Sequence, residues 1–318
     1  MLSWMQRYQV WCYLAGLAAG AFIGLIAPAV TPVAENAVLP VLGVLLFATF
    51  LGIPMDKMGP AFRDSKFLST VLVLNFVLVP IVVCGISRIV AHDDVVLVGV
   101  LFTLLTPCID YVIVFAGLAG GDTHRLLVTA PILMIVQMLL LPLYLWAFLG
   151  AEFLGSVEFR PFVDAFLLIV LIPLLLALVI QKSAAYWRWA RAWKAAAEAL
   201  LVPLMVVTLA TVVASQIGGV ENQVHKLLGV IPVYMLFAVI MVPVGLVVGR
   251  AARLGVPQQR AVVFSGVTRN SLVILPLVLA LPAHYDLAAL VVVTQTLVEL
   301  VVMVILVQLL PRLRMDAR

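Results

Sequence analysis

Residues 101–122 read LFTLLTPCIDYVIVFAGLAGGD, an apolar run that a proline and an aspartate interrupt near its middle. Pro107 lacks a backbone N–H and clashes with the preceding turn, so it predicts a break in a helix. Thr106 is placed to cap the second half of that helix. Asp110 puts a charge at bilayer depth, which costs at least about 2.5–3.5 kcal/mol on insertion scales. A broken helix that carries a buried charge is typical of a transporter's binding site.

A second apolar stretch is interrupted by Thr-Arg-Asn-Ser at residues Thr268 to Ser271. The side chains of Thr268, Asn270 and Ser271 compete for backbone hydrogen bonds and favour a break there. Arg269 adds a cation within this stretch, and Glu299 puts an acid in the next one. Backbone groups freed at mid-membrane are tolerated only where they face protein or water. We therefore expect the freed groups of the two breaks to converge at one site.

The composition is that of a polytopic membrane protein. Of the 318 residues, 65% are hydrophobic and 11% are charged, which leaves too few polar residues to cover a soluble domain of this size. Since a membrane helix needs about 20 apolar residues, the sequence predicts an all-α membrane protein with ten transmembrane helices in one domain, residues 1–318. The predicted spans are approximately 10–30, 36–53, 67–90, 94–119, 126–151, 161–181, 198–216, 227–249, 258–281 and 286–310.

The pattern of apolar and basic residues indicates how the chain sits in the membrane. Runs that are apolar at every position, such as Leu168 to Ile180, do not fit the alternation of a transmembrane β-barrel. Fifteen lysines and arginines lie at the termini or in alternate loops, whereas the opposite side has only Arg88, Arg160 and Lys226. The positive-inside rule therefore predicts a multi-pass inner-membrane protein with both termini in the cytoplasm.

Ten spans divide into two repeats of five, approximately residues 10–151 and 161–310. Three pairs of residues are separated by 162 or 163 positions: Pro80 and Pro243, Pro107 and Arg269, and Gln137 and Glu299. Because five is odd, the second repeat enters the membrane from the opposite side. Inverted repeats of this kind support alternating access, with the substrate held where the repeats meet. The fourth and ninth spans, both broken, are then symmetry mates.

The stretch from Cys108 to Asp122 resembles the fourth-span motif of arsenite efflux permeases, a branch of the bile acid/sodium symporter superfamily. That motif is a cysteine, an apolar run and a closing Leu-Ala-x-Gly-Asp. The sequences VQMLL at 136–140 and LVEL at 297–300 resemble its fifth-span glutamine and tenth-span glutamate motifs. The resemblance implies a core of six helices, whose fourth and ninth spans cross at their breaks, and a panel of the first, second, sixth and seventh spans. It also implies that Cys108 lies at the crossover and contributes to metalloid transport.

The chain departs from these relatives at both breaks. Ser271 occupies the place of a glutamate of the arsenite branch, and Ser265 that of a glutamate that helps bind sodium in the bile acid branch. Arg269 would repel a sodium ion about 5 Å away by roughly 3 kcal/mol at an effective dielectric of about 20, so sodium coupling is not expected. Arg269 therefore has three interpretations: an ion pair with Asp110 that is structural or acts as a gate, a built-in substitute for sodium, or a counter-ion for an anionic substrate.

The candidate residues lie in or near the interrupted apolar stretches. The predicted substrate-binding residues are Thr106, Cys108, Asp110, Arg269, Asn270 and Ser271, with Asn75 and Thr268 as further polar residues of the cavity. The predicted coupling or gating residues are Asp110, Glu299 and Gln137. Burial would favour a protonated Glu299, which could carry a proton. The alternative for Glu299 and Gln137 is interhelical hydrogen bonding, worth about 0.6–2 kcal/mol each.

The predicted function is secondary active transport by alternating access, with arsenite or metalloid efflux as the first candidate and protons as counter-transported ions in an antiporter. The alternative is a carrier of a small organic anion that uses Arg269 in place of a sodium ion. A non-transporting membrane sensor is a third possibility, although the short loops leave no room for an output domain. No constellation indicates an enzyme, and Cys12, Cys84 and Cys108 lack metal-site spacing. We therefore predict no cofactor and no metal. The predicted partners are the small-molecule substrate and the lipid bilayer, and no nucleic acid. The sequence does not determine the oligomeric state.

Overall fold

The computed structural model of the chain describes residues 4, 8–52, 64–109, 111–156, 164, 166–184, 186–216 and 224–313. These residues are predominantly helical, as the apolar composition predicts, because a helix satisfies its own backbone hydrogen bonds in a membrane. Within the described ranges, the only strand-like pairing is an isolated antiparallel bridge between Pro107 and Arg269.

The described part of the first half forms seven α-helices. They are α1 (Gln9–Ile26), α2 (Thr31–Gly52), α3 (Ser65–Val73), α4 (Val79–Ser87), α5 (Asp94–Leu104), α6 (Tyr111–Leu118) and α7 (Thr123–Ser156). A π-helical segment, Leu74–Leu78, joins α3 to α4 without interruption, so the two form one long span. Near its end α7 is kinked at Gly150, whose φ of 80° lies in a region that glycine adopts readily.

The second half of the chain is also helical. Its α-helices are α8 (Ile172–Ala184), α9 (Arg188–Gln216), α10 (Val224–Ala251), α11 (Val256–Val267), α12 (Ser271–Leu279) and α13 (Asp286–Leu309). A π-helical segment, Phe166–Leu171, precedes α8. α9 bends by 45° between Ala197 and Ala199.

The helices agree in part with the predicted spans. Among the described residues, five helices are long and apolar enough to cross a membrane, or six if the bent α9 counts as one span. The expected interruptions are present, because α5 is separated from α6 and α11 from α12. The second span, predicted at approximately 36–53, begins earlier than expected. The helix begins at Thr31 and has 22 residues, because Pro32 is tolerated in the first turn.

The helices pack in two groups. α9 packs against α1 and α2, and α8 against α2, while α10 packs against α11 and α13, and α13 against α5 and α12. Two glycines permit close approach of these helices. A Cβ at Gly20 would lie 2.8 Å from Ala210 Cα, and one at Gly99 would lie 2.8 Å from Val291 Cβ. Both distances are shorter than real Cβ contacts, so these two packings require the absence of a side chain.

Candidate functional site

The two helix breaks lie side by side and run antiparallel. Pro107 in the first break is bridged to Arg269 in the second. The backbone N–H of Cys108 donates to Thr268 O at 3.3 Å, and that of Asn270 donates to Thr106 O at 2.9 Å. Backbone groups that the breaks release are thus paired with each other. We call this arrangement the paired breaks.

The polar side chains next to the paired breaks satisfy the helix ends around them. Thr106 Oγ1 donates to Phe102 O at 2.9 Å and to Thr103 O at 3.1 Å. The prediction that Thr106 caps the second half-helix is wrong, because α6 begins only at Tyr111 and the backbone N–H of Cys108, which a cap at Thr106 would accept, donates to Thr268 O instead. Asn270 does act as a cap, since its Oδ1 accepts a hydrogen bond from the backbone N–H of Val273 at the start of α12.

Arg269 is completely buried, and its guanidinium donates to four oxygens of the residues that the structure describes. Nη1 lies 3.2 Å from Leu104 O, while Nη2 lies 2.9 Å from Ser265 O, 2.7 Å from Gly266 O and 2.9 Å from Asn75 Oδ1. We call these four acceptors the oxygen cage. Three of them are carbonyls of the last turns of α5 and α11, where a helix presents unpaired acceptors and partial negative charge. The breaks therefore create an environment that favours a cation.

The π-helical segment holds the fourth oxygen of the cage in place. Asn75 Nδ2 donates to Val71 O at 3.0 Å and to Ser265 Oγ at 2.9 Å, which leaves Oδ1 directed at the guanidinium. The ring of Phe237 on α10 lies on another side, with its centroid 5.3 Å from Arg269 Cζ. This distance is within the range of a cation–π contact. Single π-helical turns inside α-helices are frequent at functional sites.

Glu299 connects the second break to α13. Its Oε2 accepts the backbone N–H of Arg269 at 2.8 Å and also accepts a hydrogen bond from Gln295 Nε2, one helical turn away. Gln295 Oε1 in turn accepts the hydroxyl of Ser271. A cavity of about 10 Å³, which is room for about one water molecule, is lined in part by Gln295, Glu299 and Tyr234.

Comparison with known proteins places the chain in a family. A model of the Sodium Bile acid symporter family matches residues 39–226, which is more than half of the chain. The chain belongs to this family. It is accordingly a multi-pass membrane protein related to sodium-coupled secondary transporters, and its relatives are transporters, not enzymes. No curated protein matches the chain.

The family match covers the first break and ends before the second, so it includes Pro107 and Cys108 but neither Arg269 nor Glu299. The resemblance to the superfamily is thus confirmed. Of the oxygen cage, Asn75 and Leu104 lie within the matched residues, whereas Ser265 and Gly266 lie beyond them.

In this family member, the structure brings together most of the predicted site residues. Thr106, Cys108, Arg269, Asn270 and Ser271 are all buried in or beside the paired breaks. Asp110 lies outside the described residues, so the predicted ion pair or gate between Asp110 and Arg269 stays a prediction.

Gln137 differs from its predicted mate Glu299. It is buried in α7, and its Oε1 and Nε2 have no hydrogen-bond partner among the described residues. The aligned positions offer a reason. Arg269 supplies the N–H that Glu299 accepts, whereas the aligned Pro107 has no N–H to give.

Two residues of the site were missed by sequence reasoning. Gln295 stands four residues before Glu299, on the same face of α13, and this spacing is a signal that could have identified it. Phe237 gave no signal, because it is one apolar residue among many in α10.

Proposed function

We propose that the chain is a secondary active transporter in which Arg269 acts as a fixed cation in place of a coupling sodium ion. The observation that carries the proposal is the oxygen cage, four oxygens at 2.7–3.2 Å from the two terminal guanidinium nitrogens. Carbonyl and amide oxygens are also the ligands that replace the hydration shell of hard cations. Transport by this chain should then proceed without sodium.

The proposed architecture has ten spans in two inverted repeats, approximately residues 10–151 and 161–310, with both termini in the cytoplasm of an inner-membrane protein. The contact between the two breaks supports a core in which the fourth and ninth spans cross. The packing of α1, α2, α8 and α9 with one another supports a separate panel. Alternating access would consist of movement of the panel relative to the core around the paired breaks.

The substrate proposed first is arsenite in its neutral form. Cys108 is 1% exposed, and its backbone N–H is bonded across the paired breaks, so its position is defined. As(III) is thiophilic, and contact with a single thiol is weak enough to be reversible, as a carrier requires. Both terminal nitrogens of Arg269 already donate to the oxygen cage, which favours a neutral substrate over an anion that binds them directly.

A small organic anion is the second candidate, and one observation favours it. Asn270 is buried, and its Nδ2 has no acceptor among the described residues. A buried donor of this kind costs free energy unless a partner arrives. A carboxylate oxygen would accept from it, close to the positive charge of Arg269. An arsenite hydroxyl would also accept, so transport assays must separate the two substrates.

Counter-transport of protons is proposed to involve Glu299, with Asp110 as the alternative. Glu299 is 4% exposed, and a buried carboxylate can exchange its proton when an access path opens. Its contact with the backbone of Arg269 connects its charge directly to the break. Protonation of Glu299 would weaken that contact and so change the paired breaks.

The test is arsenite uptake into everted vesicles or proteoliposomes under an imposed pH gradient, with and without sodium. Uptake should follow the pH gradient, be the same in sodium and choline salts, and be lost in Cys108→Ser. The matched control is Cys84→Ser, which changes an exposed cysteine of α4. Uptake that requires sodium would refute the fixed cation. Absence of arsenite uptake by folded protein, together with uptake of an organic anion, would replace the first substrate with the second.

A further inference from the structure

The start of α9 carries a concentration of aromatic and basic residues that the transport site does not use. Three of the chain's six tryptophans fall within seven residues here, and all three are more than half exposed: Trp187, Trp189 and Trp193. Arg188 and Arg191 are exposed between them. No acidic residue occurs from Lys182 to Ala197. We call Tyr186 to Ala197 the interfacial segment.

The length of α9 indicates where this segment lies. α9 has 29 residues, which at 1.5 Å per residue is about 44 Å. The hydrocarbon core of a bilayer is only about 30 Å thick, so roughly ten residues must lie outside it. The 45° bend separates Arg188–Ala197 from the apolar Ala199–Ser215. The interfacial segment is therefore the part that leaves the hydrocarbon.

The segment is amphipathic when its residues are placed at 100° intervals. Trp189 and Trp193 lie 40° apart on one face, while Arg188, Arg191 and Lys194 are centred on the opposite face. Aromatic residues opposite basic residues are typical of a helix that lies in the plane of the membrane–water interface.

A third face of the segment attaches it to the protein. Ala190 is completely buried and Ala197 is 8% exposed, and both lie between the aromatic and the basic faces. The small side chains allow close packing, which fixes the rotation of the helix. The direction in which the tryptophans and the arginines project is thus set by the fold.

We propose that the interfacial segment binds the headgroups of anionic phospholipids in the leaflet on its side of the membrane. Arg188 and Arg191 would contact lipid phosphates, and the rings of Trp189 and Trp193 would enter the boundary between headgroups and acyl chains. Charge complementarity supports this occupant, since the segment has only positive charges and anionic lipids supply the negative ones. Exposed tryptophans beside the hydrocarbon favour lipid over a soluble protein partner, which would have to cover them from the aqueous side. The proposal is independent of the substrate.

The experiment compares lipid binding by two matched variants. The full-length protein is purified in a neutral detergent and mixed with equal amounts of phosphatidylglycerol and phosphatidylcholine, and the bound lipids are counted by native mass spectrometry. Arg188→Gln/Arg191→Gln removes two charges from the interfacial segment. The control, Arg253→Gln/Arg312→Gln, removes one charge from a loop and one from the C-terminal segment, both on the same predicted side of the membrane.

Each basic residue near an anionic surface changes the affinity about fivefold, so the preference for phosphatidylglycerol should fall roughly tenfold or more in the first variant. The control should keep the preference of the wild type. Equal binding of both lipids by the wild type would overturn the proposal, as would an equal loss in both variants. Co-purification of a soluble protein that Arg188→Gln/Arg191→Gln abolishes, without any lipid preference, would replace the lipid with a protein partner. Unfolding temperatures measured in the same detergent verify that the variants are folded.

Discussion

Arg269→Ala should turn the oxygen cage into a sodium site. The substitution removes the guanidinium and leaves the oxygens of Asn75, Leu104, Ser265 and Gly266 without the donor that now satisfies them. Leaving a buried acceptor without its donor costs about 1–3 kcal/mol. Several acceptors lose their donor here, and the site has no solvent access that would reduce the cost. We therefore expect the variant to lose about 3–5 kcal/mol of stability in a buffer without sodium.

Sodium should restore much of that stability by binding to the vacated cage. A ligand present at 100 times its Kd stabilises the folded state by about 2.7 kcal/mol. The assay is thermal unfolding in detergent, in sodium chloride and in choline chloride at equal ionic strength. Arg269→Ala should be more stable in sodium, whereas the wild type should unfold at the same temperature in both salts.

Arg269→Lys is the matched control, because it keeps a cation in the cage and should show no response to sodium. Equal stability of Arg269→Ala in the two salts would refute the idea that the guanidinium stands in place of a metal ion. A sodium response of equal size in the wild type would refute it as well.

Three further predictions concern packing, the second break and a loop. Gly20→Ala should destabilise the protein by about 1–3 kcal/mol, since its Cβ would overlap α9. The control is Gly43→Ala, whose Cβ would have nothing within 4 Å and which should be neutral or slightly stabilising. If both variants lost the same stability in thermal unfolding, the packing argument would be contradicted. Glu299→Ala should lower the free energy of unfolding by about 1–3 kcal/mol, because it leaves the backbone N–H of Arg269 without its acceptor. Glu299→Gln retains an oxygen and should lower it less. A larger loss for Glu299→Gln in denaturant unfolding would contradict this role of the carboxylate. Burial raises the pKa of Asp93. Hydrogen bonds from Lys226 and from the backbone N–H groups of Val95 and Val96 outweigh burial and leave the pKa below its usual value. The stabilisation from Asp93 is therefore present above about pH 3.9 and is lost as the pH falls further. Asp93→Asn should lower the free energy of unfolding by less than about 1 kcal/mol at pH 7. In unfolding titrations, the difference between the wild type and this variant should shrink as the pH approaches 3.

The positions of the breaks could be predicted from the sequence because their causes are local. Pro107 cannot continue a helix, and Thr268 to Ser271 supply side chains that compete with helical hydrogen bonds. Long apolar stretches likewise fix which parts of the chain can be membrane helices, although the start of α2 shows that a proline early in a stretch does not delimit a helix.

The contacts of Arg269 could not be predicted, because they depend on elements far apart in the chain. The orientation of Asn75 depends on the π-helical segment, which no local signal in the sequence indicated. Phe237 enters the site only through the packing of α10, whereas Gln295 could have been found from its spacing to Glu299 on α13. The sequence thus identified Arg269 as an unusual cation but left three interpretations of it open. The oxygen cage favours the interpretation in which Arg269 takes the place of a sodium ion.

The bridge between Pro107 and Arg269 also constrains how the protein is made. The two residues are 162 positions apart, and chains are synthesised at about 5–20 residues per second. For roughly 8–30 seconds the first break therefore waits in the insertion machinery or the bilayer before the second break exists. During that time the carbonyl of Thr106 lacks its partner, the N–H of Asn270. Retention of the nascent first half beside the translocon until Arg269 arrives would shield these groups from lipid. The biogenesis of this protein should accordingly be more sensitive to early chain release than that of a membrane protein with unbroken helices.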